Sequence, residues 1–291
     1  MKKIYLLIPL FLFVCFFPVV RPIPDKSKPE VKAFFSQSAP LPQKKDNSSQ
    51  LSLTATGVFV MDLKSGVVLY DKNPHKRLKP ASLTKIMTSL VALDYYKDDS
   101  VLKVINAQKS LGNTIDLLKG DQLLASDVIL GLLISSGNDA AVTLAENYPG
   151  GYKSFVEKMN AKTLELGLEN TKFSNVSGVE SADHYTTAYD IAAIARAALD
   201  RPTFENIVSK KKATLKSLNG HIYNINTTNI LLGKPGFYGV KTGWTPQAGE
   251  CLVVLAEKDA HPILISILNS QDRFGEAQKI YKWVFDNYTW E

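Results

Sequence analysis

The sequence predicts an α+β fold: an antiparallel five-stranded sheet flanked by helices, plus a mostly helical lobe. Three observations lead there. Two short apolar strand patterns, 57–61 and 66–70, flank a turn near the start of the folded part. Three more, 237–244, 250–257 and 262–268, fill the last third, with connections short enough to make them antiparallel neighbours. Between the two groups lies a long stretch with helical apolar spacing. Terminal strands around a helical middle, closed by a last helix, form a segregated α+β arrangement rather than an alternating one.

Taken in order, residues 1–20 begin Met1-Lys2-Lys3 and continue as an apolar run carrying Pro9 and Pro18. This is a secretory signal or an N-terminal membrane anchor, near the roughly 18-residue minimum for a membrane span. No small-x-small cleavage site follows, and bulky Val14 and Phe16 flank Cys15, which favours an uncleaved anchor. Either way the bulk of the chain is expected outside the cytoplasm. Residues 21–52 are rich in Pro, Ser, Lys and Gln without periodicity and read as a disordered or extended linker. The folded domain is expected over 53–291.

Within it, Leu83, Ile86, Met87, Leu90 and Leu93 space a helix that begins beside Pro80. Residues 101–122 read as short strands and turns. Ser126 and Asp127 are expected to cap the run 128–134, which is apolar all round and so predicts a helix buried at the domain centre. A turn tetrad, Ser135-Ser136-Gly137-Asn138, leads into a helix from Asp139. An amphipathic helix over 151–166 ends at Gly167, 170–185 is a loop, and 188–199 is an alanine-rich helix. A hairpin over 212–225 turns at Asn219-Gly220. The last helix, 272–287, places Phe274, Ala277, Ile280, Tyr281, Val284 and Phe285 on one face.

Composition narrows the function classes. A 45% hydrophobic, 21% charged chain can build a sizeable core. The net charge of +6 is spread along the chain without an aromatic–basic array, so no nucleic-acid partner is expected, though a polyanionic surrounding such as a cell envelope is compatible. The two cysteines, Cys15 in the N-terminal run and Cys251 in a strand pattern, predict no intrachain disulfide. The four histidines are scattered without metal-ligand spacing, so no metal and no cofactor are expected.

The chemistry-bearing stretch is Ser82-Leu83-Thr84-Lys85. Residues i and i+3 share a helix face, so Lys85 reaches Ser82 and can supply the base that a hydroxyl nucleophile lacks. The same pattern recurs at Ser100–Lys103, in a strand where the two side chains diverge, and at Ser209–Lys212, in a surface lysine run. A second element is Ser136-Gly137-Asn138 in its inter-helix turn. A third is Lys241-Thr242-Gly243 on a strand, where glycine allows close approach and a peptide can add alongside. Lys64-Ser65-Gly66 and Ser217-Leu218-Asn219 imitate these two elements but sit in turns. Asn138 has a simpler reading as a helix cap, Trp244 as packing, and His184 is expected to be structural.

The three ordered elements resemble the motifs of the penicillin-recognising serine enzymes. Their flanks, Ala81-Ser82-Leu83-Thr84-Lys85-Ile86-Met87-Thr88, Ser136-Gly137-Asn138-Asp139-Ala140 and Gly239-Val240-Lys241-Thr242-Gly243-Trp244-Thr245, are similar to low-molecular-mass D-alanyl-D-alanine carboxypeptidases over about residues 55–290. The resemblance implies a β-lactamase/transpeptidase-like fold and hydrolysis of the terminal D-alanine of peptidoglycan stem peptides, with β-lactam antibiotics as inhibitors. It implies Ser82 as nucleophile, Lys85 as general base, Ser136 as proton relay, and Asn138 on the peptide backbone. Lys241 and Thr242 would hold the carboxylate beside Gly243, Trp244 would lend its N–H to an oxyanion hole, and Arg273 would help orient the carboxylate. It also implies a rival β-lactamase reading, which needs an extra base. Glu165, Glu169 and Glu180 are available, but without a Glu-x-x-Leu-Asn arrangement. Endopeptidase or transpeptidase action is a closer variant, and a non-catalytic penicillin-binding protein is disfavoured by the intact motifs. Relatives with a second β-rich domain and a C-terminal anchor differ, since this chain is expected to end with its last helix.

Overall fold

The computed structural model describes residues 40–46, 50–106 and 112–290. The signal or anchor over 1–20 and Cys15 lie outside them. Among the described residues no helix is long and apolar enough to cross a membrane.

The described chain begins with a short strand, β1 (Pro42–Lys44), followed by β2 (Gly57–Asp62) and β3 (Val68–Lys72). A 3₁₀ turn, Ala81–Leu83, leads into α1 (Thr84–Tyr95). Then come β4 (Val101–Lys103), β5 (Gln122–Leu124), α2 (Ala125–Ile134), α3 (Asn138–Glu146), α4 (Gly151–Glu165), α5 (Ala188–Leu199) and α6 (Pro202–Val208). The chain closes with β6 (Lys212–Lys216), β7 (Ile222–Asn226), β8 (Lys241–Thr245), β9 (Gly249–Lys258), β10 (His261–Ser270), α7 (Arg273–Asn287) and β11 (Tyr288–Trp290).

Five strands form one antiparallel sheet in the order β3-β2-β10-β9-β8, as expected from the two terminal strand groups. Period-2 alternation gives it two buried faces. Val58, Val60, Leu252, Val254, Ala256, Ile263, Ile265 and Ile267 meet Ala277, Ile280, Trp283 and Val284 of α7. The intervening Phe59, Met61, Cys251, Val253, Leu255, Leu264 and Leu268 face the helical lobe. Ser266 is the polar exception on that face; its hydroxyl donates to Ala188 O at 2.6 Å and so docks the start of α5 on the sheet.

Several expectations change. Helix α1 outranks α2 as the central helix, because every residue from Thr84 to Ala92 is buried. Its polar residues hid this: Thr84 and Ser89 hydroxyls bond back to Ala81 O and Ile86 O, and Thr88 donates to Val176 O at 2.6 Å. Ser126 and Asp127 do not cap α2, which starts one residue earlier behind Leu124 with no side-chain cap. The Ser126 hydroxyl donates instead to Asp98 O. Helix α6 was not anticipated, although Pro202 at its start suits a first helical turn. The regular strand is shorter than the 237–244 expected: Phe237 bridges Ala256 and Val240 N donates to Val253 O, but the ladder is continuous only from Lys241, after Gly239 at φ 78°. Part of the expected linker is strand: β1 pairs antiparallel with β11, and Lys45 N donates to Asn287 O at 2.9 Å. That partner lies at the far end of the chain, so local composition carries no trace of it. Helix α7 is accordingly followed by β11.

Candidate active site

Ser82 sits in the 3₁₀ turn that opens α1, following Ala81 at φ 47°. One helical turn on, Lys85 is completely buried. Its Nζ lies 2.9 Å from Ser82 Oγ, 2.6 Å from Asn138 Oδ1 and 2.8 Å from the Ser177 carbonyl oxygen. A neutral amine has two N–H donors and one lone pair. Asn138 and Ser177 offer only acceptor oxygens here, so they take the two donors and the lone pair faces the Ser82 hydroxyl. Burial, and then the charge of Lys241, push the Lys85 pKa well below the usual lysine range, while Asp139 pulls the other way. The site therefore favours the form of Lys85 that can accept a proton.

The turn between α2 and α3 supplies the second group. Ser136 adopts φ 62°, which turns the chain sharply before Asn138. Asn138 is not the cap of α3; that position is Gly137, with no side-chain cap. Its side chain reaches Lys85, and its N–H donates to Asn113 O at 2.7 Å. Next to it, buried Asp139 accepts from the N–H groups of Ile115, Leu117 and Ala140, tying the 112–117 segment to this turn.

Strand β8 supplies the third group and is the free edge of the sheet. Gly243 lets the strand lie close to the Ser82 turn: a Cβ would crowd Ser82 N at 3.0 Å and Pro80 O at 3.1 Å. Thr242 Oγ1 lies 2.6 Å from Thr228 Oγ1. Lys241 is buried, with its Nζ donating to Thr242 O at 3.1 Å. Burial, and then the Arg273 guanidinium, lower its pKa to about 7. Arg273 donates from Nη1 to Gly243 O at 2.6 Å and stacks over Phe274, while its Nε is buried without a hydrogen-bond partner among the described residues. Trp244 is 59% exposed, so it is a wall and not packing.

These three groups converge on a cleft of about 520 Å³, lined by Ser82, Ser136, Asn138, Thr242, Gly243 and Arg273 among others. A buried amine beside a hydroxyl, with an open strand edge along one side, is an arrangement that can support acyl transfer to a serine. The model of the D-alanyl-D-alanine carboxypeptidase family matches residues 44–272.

The chain belongs to this serine carboxypeptidase family.

A carboxypeptidase of Bacillus subtilis, DacF, is 34% identical over 87% of this chain and 68% of its own length. A D-alanyl-D-alanine endopeptidase of Pseudomonas aeruginosa is 32% identical over 85% of this chain and 82% of its own. The crystal structure of the Streptomyces K15 DD-transpeptidase is similar with a TM-score of 0.77 at 31% identity, over 82% of this chain and 99% of that one.

Beyond the motif residues, this carboxypeptidase-family chain uses groups that pattern reasoning did not single out. Ser177 binds Lys85 through its carbonyl, Thr228 meets Thr242, and Gly178 packs on the Ser82 turn so closely that a Cβ would fall 1.8 Å from Ala81 O. All lie on aperiodic segments, and their one sequence-level signal is the Asn175–Gly178 turn composition, where Asn175 Oδ1 accepts from the Ser177 and Gly178 N–H groups. Of the three glutamates considered, Glu165 pairs with Lys158 and Lys162 on α4, Glu169 is exposed, and only Glu180 lines the cleft. His184 is structural: Nδ1 accepts from Ser174 N, so Nε2 donates to Thr84 Oγ1 at 2.7 Å, and burial lowers its pKa to about 4. The imitating motifs stay apart, Lys64–Gly66 in the β2–β3 turn and Ser217–Asn219 in the β6–β7 turn.

Proposed function

We propose that this chain removes the terminal D-alanine from peptidoglycan stem peptides through an acyl-enzyme on Ser82. The hydrogen-bond set around Lys85 Nζ carries the reading, because it leaves a lone pair for the Ser82 proton. The stem peptide lies along the edge of β8. Lys241, Thr242 and Arg273 hold its terminal carboxylate, and Asn138 binds its backbone. Ser82 Oγ attacks the carbonyl between the two D-alanines as its proton passes to Lys85 Nζ. The N–H groups of Ser82 and Trp244 hold the oxyanion, each donor typically contributing about 3 kcal/mol. The C–N bond breaks as Ser136 relays the proton from Lys85 to the leaving amine. Water then attacks the ester carbonyl as its proton passes to Lys85 Nζ, the acyl C–O bond breaks, and Lys85 returns that proton to Ser82 Oγ as the shortened peptide acid leaves. A penicillin enters the same path and stays as the acyl group. Such chemistry belongs outside the cytoplasm, where peptidoglycan is, with residues 1–20 as the membrane tether.

The test pairs labelled penicillin with a peptide ending in D-Ala-D-Ala. The expected result is a stable adduct on Ser82 by mass spectrometry together with D-alanine release, both abolished in Ser82→Ala. Rapid loss of the adduct as hydrolysed penicillin would replace this reading with a β-lactamase. Absence of any adduct would remove the serine mechanism. The Pseudomonas relative's endopeptidase name favours adding a cross-linked peptide as a second substrate in the same assay.

A further inference from the structure

Asp139 stands beside the Ser136 turn, yet no step of the acyl transfer uses it. It is 1% exposed. Its carboxylate folds back beside Gly137 and accepts from three backbone N–H groups, those of Ile115 at 3.1 Å, Leu117 at 3.0 Å and Ala140 at 3.0 Å. All three donors are neutral amides, so they satisfy the carboxylate without cancelling its charge.

Two connections make Asp139 more than a clasp. The first is a chain of bonds. Gly112 and Asn113 wall the cleft, and Asn113 O accepts from Asn138 N at 2.7 Å. Asn138 Oδ1 accepts from Lys85 Nζ, which lies 2.9 Å from Ser82 Oγ. By holding Ile115 and Leu117, Asp139 fixes the segment on which Asn138 rests, and Asn138 places the base. The far end of that segment has its own anchor: Leu118 N donates to Tyr223 Oη at 3.2 Å, and Tyr223 donates to buried Asp121. The second connection is charge. Two charges from two elements act on the buried Lys85 ammonium: Lys241 on β8 repels it and Asp139 on α3 attracts it. Without Asp139, burial and Lys241 act unopposed. The amine then sheds its proton more readily and is a weaker base toward Ser82.

We infer that Asp139 is a positioning residue for acyl transfer: its buried carboxylate holds the cleft wall against which Asn138 places Lys85, and its charge sets how strongly Lys85 takes the Ser82 proton. This rests on the Ser82 acyl-enzyme reading above. Asp139 itself touches no reacting atom.

The experiment follows the second-order rate of acylation by labelled penicillin against pH, in full-length wild type, Asp139→Asn, Asp139→Glu and Tyr223→Phe. Asn keeps one acceptor oxygen and loses the charge. Its plateau rate should fall at least about tenfold, and its acid limb should move to lower pH. At the pH where wild type keeps a tenth of its plateau, Asp139→Asn should keep about two- to threefold more of its own. Asp139→Glu keeps the charge, so its limb should stay at the wild-type pH while its longer side chain lowers the plateau. Tyr223→Phe loosens the same segment and changes no charge, so it should lower the plateau about two- to fivefold with the limb unmoved. A limb in Asp139→Asn that coincides with that of wild type would overturn the assignment, as would a limb that moves equally in Tyr223→Phe. Where the Asp139 variants do not fold, Tyr223→Phe decides: a lowered plateau on an unmoved limb upholds the assignment, and an unchanged plateau overturns it. No adduct with wild type would instead overturn the Ser82 reading.

Discussion

Three oxygens surround one buried nitrogen at Lys85, and the pH behaviour follows from that count. Protonated, Lys85 has no lone pair for Ser82, so kcat/KM for D-alanine release should fall as pH drops through the lowered Lys85 pKa. Above about pH 7, Lys241 loses its charge and its hold on a carboxylate, so KM should rise on that side. A KM that stays flat across pH 7 would refute the Lys241 assignment, and a kcat/KM that shows no fall on the acid side down to where the fold is lost would refute that of Lys85. Lys241 also weakens the fold. Its folded pKa of about 7 is below the ordinary lysine value near 10.4, so the unfolded chain binds the proton better. The penalty is fully present below pH 7 and disappears as pH rises to about 10.4. Lys241→Met should therefore raise stability at pH 7 by on the order of 3 kcal/mol, with the gain fading toward pH 10.4, while activity drops more than about 100-fold. Thermal melts at the two pH values check this, and a lower Tm at pH 7 would contradict it.

Among the elements, the loop bearing Gly178 is as tightly constrained as any helix. Gly178 takes φ 89° against the Ala81 carbonyl, so Gly178→Ala must displace the turn that holds Ser82. We expect a stability loss of about 2–4 kcal/mol in urea titration and a fall in penicillin acylation rate of at least about tenfold. Unchanged acylation would mean the loop is free to move aside. This loop also marks where sequence reasoning stopped. The strands β2, β9 and β10 are legible as short apolar runs between turn residues, a local signal, and the proximity of Ser82 and Lys85 is legible from their spacing. Gly178, Thr228 and Glu180 sit on segments with no period, and only tertiary folding brings them to the cleft. The burial of α1 was hidden for a different reason: its threonines, serine and lysine look like a solvent face until their partners are known. The Ser136 turn lies where the composition puts it, but Asn138 is the first residue of α3 and its side chain turns to Lys85.

Among the described residues, the sheet separates two cores, and the last strand returns to pair with the first. Strand β11 pairs with β1, and Trp290 Nε1 donates to Asp62 Oδ2 at 2.9 Å. None of these residues lines the cleft. Removing residues before Thr54 should lower Tm by about 2–4 °C relative to a chain beginning at residue 40, with kcat unchanged. A changed kcat would show that the terminal ribbon supports the site.

Strand β8 has a further consequence. A sheet edge with unpaired backbone groups is a template for another strand, and most proteins shield such edges. Here the edge must remain open to receive a peptide, with Lys241 buried on the strand and Arg273 donating to Gly243 O. Two molecules meeting edge to edge before substrate arrives have a seam along which to zip together. An acyl group on Ser82 stands in that seam. Penicillin-treated protein should accordingly scatter less light than untreated protein when both are held just below their unfolding temperatures, and Ser82→Ala, which forms no adduct, should gain no such protection. The antibiotic that stops the enzyme would also keep it in solution.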